Sequence, residues 1–196
     1  MDAVATFLLA ALALVGSPGP NTLSLAAVGT SFGRLRGVEY MLGLNLGMLA
    51  VIAIVGTGLS GVVLALPGVA PVITVLAAGY FLYLAYRIAT APPLAVEAAP
   101  NAPRWYEGAG LSLVNPKAYA AMAALFSGHV LVESDRLADG LWKAGLLIAT
   151  IAVVNMLWLS LGTALTQVVR DARVSRIVNL GFAALLLASV AFAVLG

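Results

Sequence analysis

Residues Ser17 to Asn21 read Ser-Pro-Gly-Pro-Asn and interrupt an apolar run near the N-terminus. Mostly apolar sequence extends from Ala3 to Val15 before this stretch and from Thr22 to Phe32 after it. Proline lacks a backbone N–H and clashes with the preceding helical turn, so a helix cannot continue unbroken through two prolines. The flanking helices would be about 20 Å and about 16 Å long at 1.5 Å per residue, in a hydrocarbon core about 30 Å thick. The sequence therefore predicts a helix that is broken near the membrane midplane.

A second interruption, Asn115-Pro116-Lys117, lies about ten residues into another apolar segment, which begins at Trp105. Like the first, it places a polar residue beside a proline. Broken helices in corresponding positions of two halves are typical of secondary transporters, whose substrates bind at the breaks. We therefore expect the two interruptions to form a transport site.

The composition identifies an integral membrane protein, because 62% of the residues are hydrophobic, 9% are charged and the mean hydropathy is +1.06. The net charge is +2, but the basic residues lie in short connections, which is typical of membrane topology. We expect a lipid bilayer around the chain and no nucleic-acid partner. Cysteine is absent and there is one histidine. Without a nucleotide loop, metal-ligand spacing or catalytic triad, we predict no enzyme activity, no cofactor and no metal site.

The predicted fold is an all-α polytopic membrane protein with six transmembrane helices, of which the first and fourth are broken near the midplane. Span lengths of about 17 to 25 residues fit the apolar segments, with the longer ones tilted or interrupted. The predicted spans are Ala3 to Phe32, Val38 to Leu66, Val69 to Tyr86, Trp105 to Val132, Ala144 to Leu165 and Ile177 to Leu195.

The chain divides at residues 91–104, where four prolines among alanines predict a semi-rigid linker. Residues 1–90 and 105–196 then form two repeats of three helices each. Because three is odd, the second repeat enters the membrane from the opposite side, which predicts an inverted repeat.

Basic residues are concentrated in alternate connections. Seven lie in the first, third and fifth connections (Arg34, Arg36, Arg87, Arg104, Arg170, Arg173 and Arg176), whereas two lie in the fourth (Arg136 and Lys143). The positive-inside rule makes the first set cytoplasmic and places both termini outside.

The first break supplies candidate substrate-binding residues: Pro18, Gly19, Pro20 and Asn21. A helix that starts there presents unpaired N–H groups and the positive end of its dipole, while the preceding helix ends with free carbonyls at Val15 and Gly16. These groups suit the carboxylate and the ammonium of a zwitterion. The alternative is a proline kink that bends the helix, with Asn21 as its cap.

The second break adds Asn115, Pro116 and Lys117 as candidates. An ammonium near the membrane centre costs at least about 2.5 kcal/mol on insertion scales and usually faces a cavity or a partner. No acidic side chain is expected nearby, so Lys117 suits a substrate carboxylate. The alternative is that its stem extends toward the headgroups.

Other polar and small residues in the spans have two alternative roles each. Asn155 and Asn45 should point inward, either toward substrate or into interhelical hydrogen bonds, and Asn155 is the stronger site candidate. We expect His129 at the surface. Gly43 and Gly47 allow another helix backbone to approach closely. We expect this contact within the chain in preference to a contact between two chains, and the sequence does not decide whether the protein forms a homodimer.

Several motifs in order resemble the LysE/RhtB family of amino-acid exporters. They are the run from Gly16 to Leu23, Gly33-Arg34-Leu35-Arg36-Gly37, the run from Leu42 to Gly47, the run from Gly79 to Tyr86, and Asn115-Pro116-Lys117-Ala118. The resemblance covers most of the chain. It implies a bacterial inner-membrane exporter of amino acids or close derivatives, driven by a proton or ion gradient.

Two departures from the family pattern bear on the substrate and on coupling. Many proteins that resemble this pattern carry aspartate where this chain has Asn21. If that carboxylate carries protons in those relatives, the coupling step here must lie elsewhere or be absent. The stretch Ala124 to His129 replaces the family's Pro-Gln-Phe. Without a carboxylate at the site, we expect a small neutral amino acid. The alternatives are export of another solute such as a metal cation, which should require acidic or sulfur ligands, and a non-transporting receptor or scaffold.

Overall fold

The computed structural model describes residues 3–58, 68–90, 103–165 and 172–195. In those ranges the chain forms seven α-helices and no strand. The helices are α1 (Ala3–Gly16), α2 (Pro20–Gly56), α3 (Val69–Ala89), α4 (Trp105–Val114), α5 (Pro116–Gly128), α6 (Arg136–Leu165) and α7 (Ala172–Leu195).

Both predicted helix breaks are confirmed. Helix α1 ends at Gly16 and α2 begins at Pro20, with Gly19 in extended backbone between them. Helix α4 ends at Val114, and Asn115 adopts φ −80° and ψ 105° before α5 begins at Pro116. In each case proline is the first residue of the new helix, where its fixed φ is favourable and its missing N–H is not needed.

Helix α2 folds back on itself at Gly33, whose φ of 77° and ψ of 174° are not helical. Glycine adopts this backbone without the steric cost that a side chain would add. The two arms, residues 20–32 and 34–56, lie side by side, since the Tyr40 hydroxyl donates a hydrogen bond to Ser24 Oγ at 3.2 Å. The predicted connection after the first span is therefore a turn at Gly33.

Close helix contacts bring the second half of the chain against α2. A Cβ built on Gly43 would lie 1.8 Å from the Trp105 carbonyl oxygen, and one on Gly47 would lie 2.5 Å from that of Ala109. The expectation that these glycines serve internal packing is confirmed. On the other side, a Cβ on Gly162 would lie 2.1 Å from the Ala26 carbonyl oxygen, so α6 packs equally closely on the first arm of α2.

Two buried apolar clusters make up the core. One includes Leu44 and Leu159, and the other includes Met48 and Ile151. Each pair spans α2 and α6, so the clusters are stacked along these two helices. Large apolar side chains also point outward, including Leu46, Val153, Leu157 and Leu185, each more than half exposed. Such an outer surface is what a bilayer covers, and α2 and α6 are long and apolar enough to cross one.

Three helix ends differ from the predicted spans. Helix α5 ends at Gly128 instead of Val132, α6 begins at Arg136 instead of Ala144, and α7 begins at Ala172 instead of Ile177. Helix α2 ends at Gly56, followed by Gly58 with φ 74°, and the predicted end of the second span at Leu66 lies outside the described residues. Most of the predicted linker, residues 91–102, lies outside the described residues, as does Arg170.

Candidate functional site

The two helix breaks meet at one cavity, beside the core cluster that includes Met48 and Ile151. Six of the eight predicted site residues line it: Gly19, Pro20, Asn21, Asn115, Lys117 and Asn155. Apolar side chains of Met48, Met122 and Ile151 complete much of the wall. The cavity measures about 40 Å³, room for roughly three water molecules at 10 to 15 Å³ each.

The Lys117 side chain crosses from one break to the other. Its Nζ donates hydrogen bonds to the Ser17 carbonyl oxygen at 2.8 Å, to Ser17 Oγ at 2.8 Å and to the Pro18 carbonyl oxygen at 3.0 Å. An ammonium has three N–H donors, so these acceptors match it fully. The ion pairs in the described ranges, Arg87–Glu107 and Lys143–Asp139, do not include Lys117.

Gly19 is required by the close approach of this lysine. A Cβ built on Gly19 would lie 2.7 Å from Lys117 Nζ and 2.8 Å from its Cδ. The backbone of Gly19 is extended, with φ −173° and ψ −178°, so its conformation suits any residue. Space for the lysine stem is therefore the reason for glycine here.

Asn21 joins the two breaks through its side chain. Its Nδ2 donates to Ser112 Oγ at 2.9 Å, and its Oδ1 accepts from Asn115 Nδ2 at 2.9 Å. Ser112 in turn donates to the Leu44 carbonyl oxygen at 2.9 Å, and Asn115 Oδ1 caps α5 by accepting from Lys117 N at 3.1 Å. The first break, the second break and the far arm of α2 are thus connected by side-chain hydrogen bonds.

Helix α6 contributes Asn155 to the cavity wall, and its Trp158 contacts the end of α1. Asn155 is 2% exposed and donates from Nδ2 to Asn45 Oδ1 at 2.7 Å, so the inward orientation predicted for this pair is confirmed. Trp158 Nε1 donates to the Gly16 carbonyl oxygen at 3.2 Å. The carbonyl that ends α1 therefore has a protein donor.

These contacts correct two expectations about the site. Lys117 is not an unpaired cation, because the carbonyls of the first break solvate it, and the Gly16 carbonyl is not free, because Trp158 binds it. Pro18 contributes its carbonyl to Lys117, while Pro116 starts α5 and is not among the lining residues. Ser17, Ser112 and Trp158 were not among the predicted site residues, although Ser17 and Ser112 are hydroxyl residues within three positions of a break.

Two further corrections lie away from the cavity. Lys143, assigned to a connection, lies inside α6 at 3% exposure, where Nζ contacts Asp139 Oδ2 at 2.6 Å and the Phe126 carbonyl oxygen at 3.0 Å. His129, expected at the surface, is half-buried with its ring edge-on to Phe7, the centroids 5.5 Å apart.

At the far end of α4, Glu107 joins α3 to α4. One carboxylate oxygen, Oε1, accepts from Arg87 at 2.6 Å and from the Tyr83 hydroxyl at 2.9 Å. The other, Oε2, accepts from Arg104 N at 2.8 Å. The Tyr80 hydroxyl donates to the Glu107 carbonyl oxygen. This network fastens the two helices that flank residues 91–102.

An all-helical chain with an apolar outer surface and two interrupted helices meeting at a polar cavity defines the class of polytopic membrane transporters. The sequence profile of a family described as LysE type translocator matches residues 12–195. The chain belongs to this family, which is a family of membrane translocators and not of enzymes.

Curated relatives share part of the chain. Proteins named "Cysteine/O-acetylserine efflux protein" from Salmonella choleraesuis (strain SC-B67), Salmonella typhimurium and Salmonella typhi are each 26% identical over 121 residues. The match spans 62% of this chain and 62% of the length of each relative. No solved structure matches the chain.

Proposed function

We propose that this protein exports a small neutral amino acid, or a close derivative, through the cavity at the two helix breaks. The observation that carries the proposal is the position of Lys117, a cation without a carboxylate partner on the wall of a cavity between two interrupted helices. Its present acceptors are two carbonyls and a hydroxyl, all neutral, so a substrate carboxylate would bind this ammonium more strongly. The N-terminus of α2, which is the positive end of its helix dipole, also favours a negatively charged group such as a carboxylate.

The wall chemistry supports a neutral side chain on the substrate. The lining residues in the described part of the chain include no Asp or Glu, so lysine or arginine as substrate would bring a second cation without a counter-charge. Apolar residues such as Met48, Met122 and Ile151 suit a short uncharged side chain. Cysteine and O-acetylserine, the compounds in the relatives' names, have this form and are the first compounds to test.

The proposed membrane arrangement has six spans in two inverted repeats, residues 1–90 and 105–196. The first span combines α1 with residues 20–32, the second is residues 34–56, and α4 with α5 makes the fourth. The adjacency of Ser17 and Lys117 supports a common depth for the two breaks. We place the protein in the bacterial inner membrane, with both termini outside and a proton or ion gradient driving export.

Transport by the purified protein in proteoliposomes tests this proposal. Vesicles loaded with cysteine or O-acetylserine should take up the same radiolabelled compound by counterflow, whereas arginine and glutamate should exchange poorly. Imposing and then dissipating a pH gradient shows whether protons drive net transport. Absence of counterflow for every neutral amino acid tested, with protein verified in the vesicles, would refute export of this class.

The role of Lys117 is tested by the preference for cysteine over cysteamine, which is cysteine without its carboxylate. Loss of one charged hydrogen bond costs about 1.5 to 3 kcal/mol, so Lys117→Met should reduce the preference roughly ten- to a hundredfold. Lys117→Arg keeps the charge and should retain most of the preference for cysteine over cysteamine. An unchanged preference in Lys117→Met would show that the carboxylate binds elsewhere.

A further inference from the structure

We propose that Lys117 occupies the substrate's own ammonium site, so that loading exchanges one ammonium for another. This inference rests on the proposed function and adds a competition between the protein and its substrate. Three acceptors at the first break, the Ser17 carbonyl, Ser17 Oγ and the Pro18 carbonyl, surround Lys117 Nζ at 2.8 to 3.0 Å. This number and kind of acceptors suit any primary ammonium, including that of an amino acid.

Three other carbonyls around the first break are already engaged. The Gly16 carbonyl accepts from Trp158, the Leu14 carbonyl from the Ser17 hydroxyl, and the Gly19 carbonyl from Leu23 N and Thr22 Oγ1. A substrate ammonium entering this break therefore meets its best acceptors where Lys117 is bound. The substrate and Lys117 compete for the same positions.

The same exchange provides both space and a counter-ion. The lysine stem packs over Gly19 and lines the cavity, so its displacement enlarges a cavity of about 40 Å³. Once displaced, its ammonium needs a new acceptor, and a substrate carboxylate supplies one. Only a zwitterion completes both steps. A simple amine leaves the displaced Lys117 without a partner, and an N-acylated acid has no ammonium to replace that of Lys117.

The inference specifies a substrate class: compounds with an unmodified primary ammonium and a carboxylate on the same carbon skeleton. N-Acetylcysteine and cysteamine each lack one of the two groups and should bind poorly to the wild-type protein. The chain contains no cysteine, so these thiols form no mixed disulfide with it and direct comparison is possible.

Equilibrium binding of cysteine, cysteamine and N-acetylcysteine to the purified protein, under reducing conditions, tests the competition. In Lys117→Met the acceptors have no internal ammonium, so cysteamine should bind at least several-fold more tightly than to wild type. Lys117→Arg, which keeps a competing cation, should show no such gain. A second outcome is that the preference for cysteine over cysteamine falls in Lys117→Met only because cysteine binds more weakly, while the affinity for cysteamine is unchanged. In that case the proposed function stands and the exchange is refuted. If the preference does not fall, the role of Lys117 in the proposed function fails as well.

A second measurement uses the unaltered chain, which contains two lysines, Lys117 and Lys143. With ¹⁵N at the lysine side chains, cysteine and, at higher concentration, cysteamine should shift the NMR signal of Lys117 Nζ, while N-acetylcysteine should not. Lys143, bound to Asp139 away from the cavity, is the internal reference. Saturation with cysteine without a change in the Lys117 signal would overturn the inference.

Discussion

Replacement of Gly19 by alanine should destabilise the protein by displacing Lys117. The added Cβ would lie 2.7 Å from Nζ and 2.8 Å from Cδ, closer than real carbon contacts, so the lysine side chain must shift, and we expect it to lose at least one of its three hydrogen bonds. Loss of one charged hydrogen bond costs about 1.5 to 3 kcal/mol. We expect the free energy of unfolding, measured by denaturation with dodecyl sulfate in mixed micelles and followed by tryptophan fluorescence, to fall by about that amount.

Gly16→Ala is the matched control, because a Cβ at Gly16 meets nothing within 4 Å, and it should change stability little. The effects of Gly19→Ala and Lys117→Met on stability should also be non-additive. In a Lys117→Met background the ammonium bonds are already absent, so Gly19→Ala should cost markedly less than in wild type. Equal costs of Gly19→Ala in the two backgrounds would refute the claim that this glycine exists to accommodate the lysine.

Two further results are expected. Leu35 is 91% exposed and Val130 is 58% exposed, so single cysteines at these positions should react with an impermeant thiol reagent. Leu35→Cys should react only from the cytoplasmic side and Val130→Cys only from outside; the reverse pattern would invert the topology. Ser112→Ala removes the hydroxyl between Asn21 and the Leu44 carbonyl and should destabilise by about 1 to 3 kcal/mol. Ser127→Ala, whose exposed hydroxyl bonds only within its own helix, should cost clearly less.

The helix breaks were predictable because proline acts locally. Pro20 and Pro116 each end one helix and begin another wherever the rest of the chain lies. The meeting of the breaks was also predicted, from their corresponding positions in the two halves of the chain. Close packing at Gly43 and Gly47 followed from their spacing alone, although the partner helix did not.

The partners of Lys117 were not predictable from sequence. Hydropathy indicates that a cation lies within an apolar segment. Its acceptors come from Ser17 and Pro18, about a hundred positions away, and residue type does not tell which distant side chain a backbone carbonyl will bind. The end of α2 at Gly56 gave no hydropathy signal, because apolar residues continue beyond it. The predicted start of the fifth span was wrong because the Lys143–Asp139 pair lets a charged segment remain inside a helix.

Access to the cavity from both sides of the membrane tests most directly whether the breaks form a transport pathway. Ala121 lines the cavity, whereas Ala123 on the same helix points outward, so cysteines at these two positions form a matched pair. We predict that Ala121→Cys reacts with an impermeant thiol reagent added to either side, and that O-acetylserine slows both reactions without affecting Ala123→Cys. Reaction from one side alone, or reaction that O-acetylserine does not slow, would contradict alternating access at this site.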